Sequence, residues 1–307
     1  MAKRPSASKA IAVGKALAAA TLERRERAMK KRQRALAKAN IKPPPMPKVM
    51  LAKAPITHAS AGVIIAEGDS WFDYPLHDVL SDLADSYGFD IESVAHSGDS
   101  VEDMAYSDGQ LDEFSRRLEK VLNTHVEPRA ILLSGGGNDV AGDEFAVLLN
   151  HATSSISGFN DSIVTGVIDQ RIRDAYVTIL TAITEICKAR LGHPVPIVVH
   201  GYDYPVPDGR GFFRGWGPLP GPWLEPGFRR KGYADMTLRK RMCVTLIDRF
   251  NAMLASIAGK APFAHVKFLD LRKTLSTGAN YKEYWANELH PTTKGFEQVT
   301  AKFAAVL

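Results

Sequence analysis

The chain has 307 residues, 45% hydrophobic and 24% charged, the profile of an ordinary globular protein rather than a disordered chain, a collagen or a coiled-coil rod. The length allows one large domain or two smaller ones, and no stretch approaches the ~18 consecutive apolar residues of a membrane-spanning helix. Net charge is +5 but very unevenly spread: residues 1–53 hold 15 Lys and Arg against Glu23 and Glu26, a net of +13, which leaves −8 on the remainder.

Residues 1–39 are rich in Ala, Lys and Arg and predict a helix that must stop before the Ile41-Lys42-Pro43-Pro44-Pro45-Met46-Pro47 run, an extended linker. Leu22, Met29 and Leu36 recur every seven residues, too thin a stripe to bury a helix against a core. The helix is therefore expected to be mostly solvated or to wait for a partner, and residues 1–53 read as a basic arm outside a domain formed by 54–307. Three readings of the arm stay open: a solvated tail, a contact with a polyanion (nucleic acid or an anionic membrane surface), and a targeting peptide. Gly14 and Lys15 interrupt the apolar stretch a signal peptide would need.

From residue 62 onward, short β-branched runs at 62–66, 90–95, 130–134, 196–200 and 266–270 alternate with helical patterns near 78–87, 110–123, 169–190 and 235–258, and a last helix follows Pro291. Continuous apolar strands separated by amphipathic helices predict an α/β fold, a doubly wound five-stranded parallel sheet covered on both faces. Two insertions interrupt it, at about 141–168 and 201–235. The second begins His200-Gly201-Tyr202-Asp203 and carries Phe212, Phe213, Trp216, Trp223 and Phe228 among many Gly and Pro; it reads as a cap that lines a substrate pocket. His200, Asp203, Trp216 and Trp223 are its candidate substrate contacts. Cys187 and Cys243 lie in apolar helical contexts without CxxC spacing and are expected to be buried free thiols.

In a doubly wound sheet, ligands bind beyond the carboxyl ends of the strands. There the chain carries Glu67-Gly68-Asp69-Ser70-Trp71, then His96-Ser97-Gly98-Asp99, then Gly135-Gly136-Gly137-Asn138-Asp139, and before the last helix Trp285-Ala286-Asn287-Glu288-Leu289-His290-Pro291. A serine on a tight turn, a glycine amide, an asparagine amide and a late histidine make a chemical kit: a nucleophile, a base, and donors for an oxyanion. Asp69 and Trp71 flank the serine and are further candidates to meet substrate. The nine histidines have no metal-ligand spacing, and there is no GxGxxG or P-loop, so neither metal nor cofactor is expected.

With these four blocks in this order, residues 60–307 resemble the SGNH, or GDSL, hydrolases, which are esterases and lipases on a flavodoxin-like fold. The resemblance implies that Ser70 is the nucleophile, that Gly98 and Asn138 with the Ser70 amide form the oxyanion hole, and that His290 is the general base. It departs at Asn287, where the family usually has the acid that orients the histidine. A neutral amide oxygen can accept the histidine Nδ1–H without stabilising the imidazolium by charge, and Glu288, one residue too close, is the other candidate. The expected function is hydrolysis of a carboxylic ester with an apolar portion, through an acyl-enzyme on Ser70. The alternative is a binding protein on the same fold that has lost turnover and works through its basic arm, on nucleic acid, an anionic membrane or a protein partner.

Overall fold

The computed structural model describes residues 7–38, 60–75, 77–107, 109–124, 126–212 and 220–307. Helix α1 (Ala7–Lys38) is followed by β1 (Val63–Glu67), α2 (Val79–Tyr87), β2 (Asp90–Ser93), α3 (Val101–Tyr106), α4 (Gln110–Leu122) and β3 (Ala130–Leu133). The first insertion folds as a 3₁₀ turn (Gly142–Leu148), a hairpin of β4 (Leu149–Asn150) and β5 (Gly158–Phe159), and α5 (Asp161–Gly166). A π-helical turn (Val167–Ile172) leads from it into α6 (Arg173–Leu191), followed by β6 (Ile197–His200), α7 (Glu225–Arg230), α8 (Met236–Ile257), β7 (Val266–Leu269) and α9 (Thr293–Ala304).

The five principal strands pair in the order β2-β1-β3-β6-β7, every pair parallel. This is the doubly wound α/β sheet the apolar runs predict. The central strands carry no polar face: Ile64, Ile65, Ile131, Leu132, Val198 and Val199 are all buried, because helices cover both sides. From β1 the chain crosses first to β2 and then to β3 on the opposite side, so the order reverses at β1. The segments after β1 and β3, which hold Ser70 and Asn138, therefore flank the switch-point crevice. Local capping sets the helix that follows: Asp78 accepts the Ser81 N–H at 2.8 Å while the Ser81 hydroxyl accepts the Asp78 N–H at 3.0 Å, a reciprocal cap that starts α2 at Val79.

The helix of the basic arm departs from expectation. Instead of being mostly solvated, the N-terminal half of α1 packs along α6, and Ala10, Ala18 and Thr21 are buried there. Gly14 explains how. A Cβ at this position would lie 2.6 Å from the Thr178 carbonyl oxygen and 2.7 Å from the Thr181 Cβ, so only glycine lets the helices approach this closely. The contact is a stripe of small residues at helical spacing, which a search for large apolar residues does not detect. Further along, Arg24 pairs with Asp112 of α4 at 3.5 Å; the side chains of Met29 and Leu36, and the proline linker, lie outside the described residues. Gly14→Leu should therefore undock α1 and cost about 1–3 kcal/mol, a melting-temperature drop of several degrees by calorimetry. An unchanged melting temperature would contradict this packing.

Candidate active site

The turn after β1 presents Ser70, and its Oγ lies 2.7 Å from His290 Nε2. The other ring nitrogen of His290, Nδ1, lies 3.0 Å from Asn287 Oδ1. Asn287 is buried and its amide orientation is fixed by its partners: Oδ1 also accepts the backbone N–H groups of Leu289 and His290, at 3.0 and 2.9 Å, while Nδ2 donates to the Tyr74 hydroxyl at 3.1 Å. With an oxygen facing it, Nδ1 must carry the proton, which leaves Nε2 free to accept the Ser70 O–H. Burial lowers the His290 pKa to about 3, so the imidazole is neutral at working pH. Tyr74 stacks on the ring, centroids 4.4 Å apart and planes 21° apart. Tyr74 was missed by sequence reasoning; its one signal is its place four residues after Ser70, on the same turn.

Three loops are tied together around the serine. The His96 N–H donates to the Gly68 carbonyl at 2.9 Å, and the Ser97 N–H to Asp73 Oδ2 at 2.9 Å, which fixes the Gly98 loop to the Ser70 turn. Asn138 Nδ2 donates to the Asp99 carbonyl at 2.9 Å, leaving its second N–H for a ligand. Asp139 accepts the Val101 N–H at 2.9 Å at the start of α3, and burial pushes its pKa up to about 6. Gly98 has φ of +98°, a left-handed conformation that glycine adopts without strain. Among the described residues, neither its N–H nor that of Ser70 has a hydrogen-bond partner. Both amides are thus available to an oxyanion.

Several predicted substrate contacts are also held firmly by the fold, and three of them, Asp69, Trp71 and Asp203, line the pocket beside Ser70. Asp69 is buried and accepts the Trp71 N–H at 3.0 Å, the Ser134 O–H at 2.8 Å and the Tyr202 O–H. Trp71 is buried and donates its indole N–H to the Leu289 carbonyl at 3.1 Å, holding the His290 loop against the serine turn. His200 is fully buried among Trp71, Phe72, Tyr202 and Phe303, and burial lowers its pKa. Asp203 accepts the N–H groups of Tyr204 and Lys273, both at 2.7 Å, and of Leu275 at 2.6 Å, pinning the segment after β7. Trp223 packs edge-on to His290 at 5.3 Å, and Trp216 lies outside the described residues. The pocket itself, about 70 Å³ beside Ser70 and Asn138, is walled mainly by Val140, Phe145, Ile168, Leu246 and Phe250. From the cap, Tyr202, Asp203, Pro205 and Leu224 also line it. On α8 these wall residues follow the same apolar spacing as core, which is why the sequence does not single them out.

The fold and the four sequence blocks, three after strands and one before the last helix, define an SGNH-type hydrolase of the esterase and lipase class. The profile of the GDSL-like Lipase/Acylhydrolase family matches residues 61–298, and the chain belongs to that family. Among solved structures it is similar to the lipase Lip_vut3 from a goat rumen metagenome, at 15% identity and a TM-score of 0.51 over 80% of this chain and 96% of that one. It is also similar to Axe2, an acetylxylan esterase from Geobacillus stearothermophilus, at 14% identity and a TM-score of 0.35 over 80% of this chain and 94% of that one. At 15% identity the likeness to the lipase is one of fold. No curated protein matches the chain.

Glu288, the other candidate partner for His290, turns away from it. Its buried carboxylate accepts four backbone N–H groups from the cap: Gly209 at 2.9 Å, Trp223 and Leu224 at 2.7 Å, and Glu225 at 3.0 Å. Burial still holds its pKa above the usual carboxylate range. Glu288, next to Asn287 on the His290 loop, thus anchors the cap, and Arg210 ties the same loop back through the Trp285 and Ala286 carbonyls at 2.8 and 3.0 Å. In Glu288→Gln an amide NH₂ would face N–H donors, each unmade bond costing about 1–3 kcal/mol. The Trp223, Leu224 and Glu225 amides should lose hydrogen-exchange protection in that variant; unchanged protection would contradict the anchor.

Proposed function

We propose that this ester hydrolase works as a serine esterase through a Ser70 acyl-enzyme, and the Ser70 Oγ to His290 Nε2 hydrogen bond of 2.7 Å is the observation that carries the reading. Ser70 Oγ attacks the ester carbonyl carbon while His290 Nε2 takes its proton. The Ser70 and Gly98 N–H groups and Asn138 Nδ2 donate to the oxyanion. As the tetrahedral intermediate collapses, His290 returns the proton to the leaving alkoxide, and the acyl group stays on Ser70. Water then attacks with His290 as base, releasing the carboxylic acid and restoring the serine.

Asn287 and Tyr74 act as positioning residues. The Asn287 oxygen holds the Nδ1–H tautomer, as a carboxylate would, but without its charge. The stacked Tyr74 ring offers its electron-rich face to the imidazolium that forms during attack, a cation–π contact worth about 1–2 kcal/mol when desolvated. The assembled chain from Ser70 to Asn287 favours turnover over the reading of an inactive binding protein.

Ser70→Ala should abolish turnover of a p-nitrophenyl ester in a folded protein, and Asn138→Ala should lower kcat by about 10² to 10³. Unchanged turnover in Ser70→Ala would overturn the mechanism. The pH dependence gives a second test. Burial disfavours the imidazolium and holds the His290 pKa near 3, so kcat/KM should show no histidine limb between about pH 5 and 8. A carboxylate at 287 favours the charged form and raises that pKa. Asn287→Asp should therefore bring an acid limb into this window, with activity falling as pH drops. Identical profiles for the two proteins would contradict an Asn287–His290 partnership.

A further inference from the structure

The pocket beside Ser70 has a composition that selects its occupant. Val140 and Phe145 come from the first insertion, Ile168 from the π-helical turn, and Leu246, Ile247 and Phe250 from α8. Apart from Ser70 and Asn138 at its mouth, its polar side chains are already engaged: Asp69 accepts from Trp71, Ser134 and Tyr202, Tyr202 also accepts the Gly137 N–H at 3.2 Å, and Asp203 is held by the backbone bonds described above. A hydroxylated or charged group placed here would be desolvated without a partner.

The position of the pocket decides which half of an ester enters it. Ser70 and the oxyanion donor Asn138 line the pocket, whereas His290, which must protonate the leaving alkoxide, does not. The acyl chain therefore runs into the pocket, and the alcohol departs on the histidine side. A water needs about 10–15 Å³ of such space, so 70 Å³ gives about five to seven positions, each able to take roughly one methylene.

We propose that this pocket is an acyl site for saturated aliphatic chains of about four to eight carbons, with Ile168 and Leu246 as specificity-determining residues. The proposal rests on the serine hydrolase reading and deepens it.

The test is kcat/KM for p-nitrophenyl esters from acetate to palmitate on the full chain, with Ser70→Ala as background. Each added methylene should raise the Ser70-dependent rate about fourfold, until the rise stops at six to eight carbons (about the pocket's capacity). Ile168→Phe fills space and should lower the octanoate-to-butanoate ratio about tenfold or more. Leu246→Ala opens space and should raise that ratio, so the axis is read in the opposite direction if the first variant does not fold. Ser70-dependent turnover that is flat with chain length, or best for acetate, overturns the acyl assignment alone. No Ser70-dependent turnover at any length overturns the hydrolase reading, and this assignment with it.

Discussion

A histidine buried with no carboxylate partner among the described residues is the constraint on which the site depends. Burial keeps the His290 imidazole neutral, and a neutral ring can accept the Ser70 proton only if its own proton is held on Nδ1. Asn287 Oδ1 holds it there. An amide can also flip, and a flipped Asn287 would face the ring with a donor. Two backbone N–H groups on Oδ1 and the Tyr74 hydroxyl on Nδ2 prevent that. Tyr74 then contributes again through its ring, stacked on the imidazole. One short segment, Ser70 to Tyr74, thus supplies both the proposed nucleophile and the support of its proposed base.

The surrounding structure serves to keep two distant segments in register, since Ser70 and His290 are 220 residues apart. Trp71 reaches across to the Leu289 carbonyl, Glu288 binds the cap, and the Thr292 N–H donates to the Tyr284 carbonyl at 2.9 Å as the chain turns into α9. Beneath the turn, the Asp69 carboxylate joins the ends of β1, β3 and β6 through Trp71, Ser134 and Tyr202. A buried carboxylate that accepts several donors is costly to disturb. The aspartate beside Ser70 therefore acts as the keystone of the strand ends.

The sheet was legible because its strands are continuous apolar runs of the right length, and the four chemical blocks because each follows a strand or precedes the last helix. What was not legible depends on three-dimensional pairing. Glu288 and Asn287 are adjacent in sequence and both polar, yet they face opposite sides of the loop. Asp203 and His200 look alike as strand-end residues, yet Asp203 lines the pocket whereas His200 is enclosed by aromatic rings. The docking of α1 relies on Ala10, Gly14, Ala18 and Thr21, whose small size, rather than hydrophobicity, makes the contact. The pocket walls on α8 share their spacing with core residues, and only the packing of the first insertion against them separates cavity from core.

The central claim is that a neutral His290, held in its Nδ1–H tautomer by Asn287, suffices to activate Ser70. It is tested most directly by treating the full chain with a fluorophosphonate and measuring the intact mass and the modified peptide. The account predicts one adduct per chain, on Ser70, lost in His290→Ala and retained in Glu288→Asp. An unmodified wild-type protein, or an adduct that forms equally well without His290, would contradict it.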